Sequence, residues 1–238
     1  KWVLKWNAIV AAASLLVLAI YVVVTPTVID PEAYTPEPPR ALEGALAANE
    51  LLRSAEVQLI GGDPDEGVHI GPEDLLVEEG SRITTGMRSG KVVERSPAGT
   101  KVLVNTRGRP LGLARDATGR LLIADADKGL LRLEPDGKLT TLASAAEGRL
   151  FQFTNELAVA SDGSIYFSDS SDRWPIKDYC FEVLEGRPRG RILKWDPSGT
   201  LGTPQTPGSV KVLVDRLHFP NGVALSPDQS VLYFAQST

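Results

Sequence analysis

One pattern, written four times from residue 73 to the end of the chain, restricts the fold more than any other feature of the sequence. One copy reads Gly112-Leu-Ala-Arg-Asp-Ala-Thr-Gly, then Arg120-Leu-Leu-Ile-Ala-Asp, then Gly129-Leu-Leu-Arg-Leu-Glu-Pro-Asp-Gly, then Lys138-Leu-Thr-Thr-Leu-Ala. These are four short apolar or alternating runs divided by Asp, Gly and Pro turns, as antiparallel strands require. A second copy starts at Glu156 and continues from Ser164, Gly190 and Val210. An earlier one starts at Asp74 and continues from Ser81, Gly90 and Lys101, and a fourth starts at Gly222, continues at Val231 and stops. Aligned on their first strands, the copies place Glu73, Leu111, Asn155 and Asn221 in equivalent positions, 38, 44 and 66 residues apart. The first two spacings suit a four-stranded propeller blade of roughly 40–50 residues, and the third is lengthened by an insertion, Ser171 to Arg189. The expected fold class is therefore all-β, a β-propeller of which about three and a half blades are present. Propellers close with about four to eight blades, so further blades are expected beyond Thr238. A β-sandwich would not explain the in-phase repetition.

The other end of the chain is built differently. Ala8 to Val24 carries no charge, and only Ser14 and Tyr21 bring side-chain polarity. As a helix this run would be roughly 25 Å long, at the short end of the spanning range. Trp2 and Trp6 lie at its near edge, Lys1 and Lys5 precede it, and the first charge after it is Asp30. That pattern predicts a transmembrane anchor over 8–24, with residues 1–7 cytoplasmic and the rest of the chain on the other side. A cleaved signal peptide or a buried helix are the alternatives; the length of the run and the lack of a small-residue cleavage site favour an anchor. Residues 25–54 read as a linker, with five prolines from Pro26 to Pro39 favouring an extended spacer and an Ala/Leu/Glu-rich stretch at 41–53 that could form a short helix. Residues 55–238 are the expected propeller.

Charge excludes one class of function. The net charge is −5 with both signs interspersed, so no basic stripe for nucleic acid exists. The single cysteine, Cys180, allows no intrachain disulfide. No nucleophile elbow, phosphate-binding loop or dinucleotide fingerprint occurs.

In a propeller the residue just before each innermost strand points at the channel mouth. Three of the four such positions carry oxygen: Glu73, Asn155 and Asn221. A carboxylate with two amide carbonyls suits a hard cation such as Ca²⁺ rather than zinc. Each also has a plainer reading, the asparagines as turn residues and Glu73 as a solvated charge. Asp125, Asp127 and Asp169 fall at strand ends and read as turn or blade-locking carboxylates. His69 and His218 have the pKa of a base but read as loop residues. Tyr166, Phe167, Trp195 and Tyr233 read as inter-blade packing.

Three runs carry a family resemblance: Gly108-Arg-Pro-Leu-Gly-Leu; Phe153-Thr-Asn-Glu-Leu-Ala-Val with Ile165-Tyr-Phe-Ser-Asp-Ser-Ser-Asp-Arg-Trp; and Leu217-His-Phe-Pro-Asn-Gly-Val-Ala-Leu-Ser-Pro-Asp. Over about residues 55–238 the chain resembles the strictosidine synthase-like proteins. It is most similar to the branch of adipocyte plasma membrane-associated proteins, within the superfamily of senescence marker protein, gluconolactonase and paraoxonase. The resemblance implies a six-bladed propeller with a divalent metal, usually Ca²⁺, at the channel mouth, held here by Glu73, Asn155, Asn221 and an aspartate beyond Thr238. It also implies metal-assisted hydrolysis of a small-molecule ester or lactone, with no catalytic base identified. The competing expectations are a non-catalytic propeller that binds a ligand or protein, and a condensing enzyme dependent on a late-blade glutamate. The insertion reads either as a lid or as a partner surface.

Overall fold

The computed structural model describes residues 2–25, 27–33, 35, 38, 41–44, 47–51, 53–55, 71–197 and 208–237. From Leu75 onward they form three four-stranded antiparallel sheets, each with its strands in chain order, and two two-stranded sheets. The first holds β1 (Leu75–Glu78), β2 (Arg82–Gly86), β3 (Lys91–Ser96) and β4 (Gly99–Asn105). The second holds β5 (Pro110–Arg115), β6 (Leu121–Asp125), β7 (Gly129–Leu133) and β8 (Leu139–Ala143). A small hairpin, β9 (Ala145–Ala146) and β10 (Arg149–Leu150), leads into the third. That sheet contains β11 (Thr154–Val159), β12 (Ile165–Asp169), β13 (Gly190–Asp196) and β14 (Ser209–Leu217). The last pair is β15 (Pro220–Leu225) and β16 (Leu232–Gln236). These are propeller blades, three whole and one half. The repeat alignment is also the structural register: Leu75 faces Thr85, Leu113 faces Ile123, Leu157 faces Phe167 and Val223 faces Phe234.

The second blade is buried on both faces, which explains why four of the five residues of its second strand are apolar. In β6, Leu121 and Ile123 pack with Val92 of the first blade. Leu122 and Ala124 point the other way, into a cluster with Leu157, Phe167 and Trp195 of the third. Alternation of side chains along a strand sends successive residues to opposite neighbours. Each fully buried Leu or Ile contributes about 1.5–3 kcal/mol. Phe167 and Trp195 are thus inter-blade packing residues, and Tyr166 is partly buried against the β15 side. Tyr233, in the half blade, is 59% exposed in the described residues.

The N-terminal helix, α1, runs from Trp2 to Val24 and starts earlier than the expected 8–24, as nothing in the preceding residues breaks a helix. Among the described residues, no helix is long and apolar enough to cross a membrane. The side chains of Ala8, Ile9 and Val22 lie outside the described residues, and Val10 to Tyr21 alone covers ~18 Å against a ~30 Å hydrocarbon core. The segment is therefore seen as a helix and not as a span. No α-helix occurs among the described residues of 41–53; Ala45, Leu46 and Leu52 lie outside them. The insertion holds a 3₁₀ turn, Ile176–Asp178, followed by α2, Tyr179–Glu185.

Candidate channel-mouth site

The loops that deliver the chain to each innermost strand are tied down by the end of the second strand. Asp125, at the end of β6, accepts backbone N–H bonds from Arg109 (3.1 Å), Asp127 (3.0 Å) and Lys128 (3.0 Å). Asp169, at the end of β12, accepts from Gln152 (3.2 Å) and Phe153 (2.9 Å) and pairs with the Arg191 guanidinium at 2.9 and 3.0 Å. Burial pushes the Asp169 carboxyl up, against the pull of Arg191 and the Phe153 N–H. In the last pair Gln236 takes over the role, accepting the His218 N–H at 2.6 Å. Asp125 and Asp169 are structural locks. His218 is part of the same lock through its backbone, and His69 lies outside the described residues.

These locks position the row of candidate ligands. In β5, β11 and β15 the register slips between the first residue and the fourth, a bulge that falls on Leu111, Asn155 and Asn221. Bulges re-aim side chains beside functional sites. Asn155 is 3% exposed, and its Nδ2 donates to Ser170 Oγ at 3.0 Å. Ser170 Oγ donates its one hydrogen to the Pro220 carbonyl at 2.6 Å, so Asn155 must be the donor and its Oδ1 the acceptor left for a ligand. Asn221 donates from Nδ2 to Ser237 Oγ at 3.2 Å, and its carbonyl accepts from Ser168 Oγ at 2.7 Å. Glu73 is exposed and lies 3.9 Å from Arg109 Nη2. Burial raises its pKa, Arg109 lowers it and Asp74 raises it further. Asn155 and Asn221 thus stand at the same end of the neighbouring strands β11 and β15, and Glu73 precedes β1, on the far side of β5 from them. Leu111, in the same row, carries no oxygen and instead packs with Phe153, Phe219 and Ile176 of the insertion. Phe153 and Phe219 meet edge to face at 5.3 Å.

One residue deeper, the structure brings together two carboxylates that the sequence reading passed over. Asp74 bridges blades, accepting the Leu75 N–H and the Leu113 N–H, both at 2.8 Å. Glu156 accepts the Leu157 N–H at 2.8 Å, and its own N–H donates to Ser168 Oγ at 3.1 Å. Burial pushes the Glu156 carboxyl up to about 7; the Leu157 N–H opposes this and the charges of Asp74 and Glu73 add to it. Asp74, Glu156, Leu113, Val223, Tyr233 and Phe234 line a cleft of about 540 Å³ along the axis. Gly112 is what lets the strands converge there: a Cβ on it would lie 2.5 Å from Glu156 Oε1 and 2.8 Å from Glu156 Cα. The signal was in the repeat phase, since Asp74, Gly112, Glu156 and Gly222 are equivalent and only two of them carry charge.

The fold defines a β-propeller. Residues 155–238 match the family model described as Strictosidine synthase. It is 39% identical over 174 residues to "Protein STRICTOSIDINE SYNTHASE-LIKE 6" of Arabidopsis thaliana, covering 70% of this chain and 45% of that protein. It is 35% identical over 232 residues to the adipocyte plasma membrane-associated protein of Homo sapiens, covering 88% of this chain and 51% of that one. The chain thus spans about half the length of the curated relatives it matches. Among solved structures, a gluconolactonase of Xanthomonas campestris superposes with a TM-score of 0.56 at 24% identity, over 71% of this chain and 55% of that one. At that identity the likeness shows the fold.

Proposed function

We propose that this chain is part of a membrane-associated, metal-dependent hydrolase of small-molecule esters or lactones. Its propeller would close at six blades, with Ca²⁺ held at the mouth by Glu73, Asn155 and Asn221. The observation that carries the reading is the orientation of Asn155: Ser170 fixes the amide so that an oxygen is the atom presented. With Glu73 and Asn221 that makes an all-oxygen donor set, which suits a hard cation. What a bound Ca²⁺ supplies to such chemistry is polarisation of a substrate carbonyl and stabilisation of the oxyanion.

The chain's own residues set the conditions for that chemistry. Glu73 offsets cationic charge at the mouth. Leu111, Phe153, Phe219 and Ile176 form a packed apolar cluster at the rim of the mouth that holds its loops in place. Glu156 holds its proton up to about pH 7, which keeps the axis below the mouth from carrying the full negative charge of three carboxylates. The gluconolactonase likeness supports lactones as a substrate class. The adipocyte plasma membrane-associated relatives support membrane association. We assign that association to α1, whose exposed apolar residues would lie against the lipid surface.

The test is an ester and lactone panel run on the chain with its natural C-terminal continuation, with and without Ca²⁺. Ca²⁺-dependent turnover that falls at least tenfold in Asn155→Ala supports the reading. Turnover indifferent to both overturns it. Saturable binding without turnover would establish instead a non-catalytic propeller that binds a ligand.

A further inference from the structure

The segment just after α1 does not hang free; it lies on the insertion. Glu185, fully buried at the end of α2, is the centre of the contact. Its Oε1 accepts the Asp30 N–H at 2.9 Å and faces Arg173 Nη1 at 3.0 Å. Its Oε2 accepts from Trp174 Nε1 at 3.0 Å and Arg189 Nε at 3.1 Å, while its carbonyl accepts the Glu32 N–H at 2.7 Å. Arg187 grips the same stretch from the other side, donating to the Asp30 carbonyl at 2.5 Å, Asp30 Oδ2 at 2.7 Å and Glu32 Oε2 at 3.2 Å. Arg173 adds a bond to the Val28 carbonyl at 3.3 Å. A buried carboxylate with this many donors is a built contact, because leaving any of them unmade would strand a charge.

Position gives the contact its meaning. The insertion leaves the end of β12, where Asp169 pairs with Thr154 at the start of β11, so it rises from the mouth end of the propeller. Ile176 in it packs directly on the mouth residues Leu111, Phe153 and Phe219. Val28 lies four positions beyond Val24, the end of α1, a reach of at most about 14 Å. The helix is therefore tethered to the mouth face. On the same insertion α2 exposes Tyr179, Val183 and Leu184, of which 49, 46 and 61% is accessible, with Tyr179 and Val183 four residues apart on one side of the helix.

We propose that the insertion is the docking surface for the segment following α1, and that the two together turn the channel mouth toward the lipid surface that α1 lies against. This rests on the membrane association proposed above. Exposed apolar side chains beside a helix anchor suit the headgroup–acyl boundary. The substrate class that follows is amphiphilic: esters or lactones partitioned in lipid, entering from the interface.

The test uses the whole chain in phosphatidylcholine vesicles carrying a headgroup-region quencher. One fluorophore is placed on Cys180, the chain's only cysteine and exposed on α2. A second is placed by Ala117→Cys in a Cys180→Ser background, in the turn between β5 and β6 at the opposite end. Quenching several-fold stronger at 180 than at 117, lost in Asp30→Ala with Arg187→Ala, is the expected result. Equal quenching at both positions in vesicle-bound protein overturns the orientation. In parallel, amide exchange at Asp30 and Glu32 should be at least tenfold slower than in Arg187→Ala, and unprotected amides overturn the docking. A chain that fails to bind vesicles overturns the membrane reading and the orientation with it, while the exchange result still decides the docking.

Discussion

The Asn155 amide is held by Ser170 through a hydrogen bond of 3.0 Å, and Ser170 is itself anchored to the next blade through the Pro220 carbonyl. One serine thus sets the direction of a candidate ligand and ties it to the neighbouring strand that carries Asn221. Ser170 is fully buried, so neither bond is replaced by water.

Ser170→Ala should lower stability by about 1–3 kcal/mol, since it leaves a buried amide and a buried carbonyl without their partner. It should also weaken Ca²⁺ binding at least as much as it weakens the fold, because the amide becomes free to turn. Urea melts with and without Ca²⁺ separate the two effects. Unchanged metal affinity would mean that Asn155 is not a ligand.

Glu156 gives a pH dependence of definite sign. Its folded pKa, about 7, lies above that of an unfolded glutamate, near 4.5. Between those values the folded protein holds a proton that the unfolded chain releases, so stability falls as pH rises through this window. The full loss is roughly 3 kcal/mol from a shift of this size. Glu156→Gln should flatten the profile and be the more stable form at pH 8. Denaturant midpoints at pH 5 and pH 8 for both proteins decide it.

Gly112→Ala should destabilise by about 1–3 kcal/mol, because the added methyl meets Glu156 backbone and side chain below contact distance. The comparison is Gly119→Ala, where the surroundings are open and only the positive φ of 83° is strained. Thermal melts of the two variants separate close approach from backbone strain.

Asp169 and Arg191 are both fully buried and paired at 2.9 Å. Asp169→Asn should cost about 3–5 kcal/mol by leaving the guanidinium without its counter-charge. Replacing Arg191 by Leu in the same chain should recover part of that loss, which a two-variant melting cycle measures.

The blades were legible because a repeat reports its own phase: Leu75, Leu113, Leu157 and Val223 hold matching places in the ladder, so Glu73, Leu111, Asn155 and Asn221 line up without any structure. Glu156 was not legible as a site residue. Its raised pKa comes from burial against the next blade and from Asp74 and Glu73, some 80 residues away, and no local pattern encodes that. The insertion was visible as a lengthened spacing, but its contact with Asp30 joins residues 155 positions apart.

The central claim is a Ca²⁺ site at the mouth. It is tested most directly by thermal melting of the chain with its natural C-terminal continuation across a Ca²⁺ titration, beside Glu73→Gln and Asn221→Ala. A ligand bound only by the folded state raises the melting temperature as its concentration exceeds the dissociation constant. The account predicts a saturable rise in the parent protein that both variants lose. A melting temperature that does not respond to Ca²⁺, or a rise that both variants keep, would contradict it.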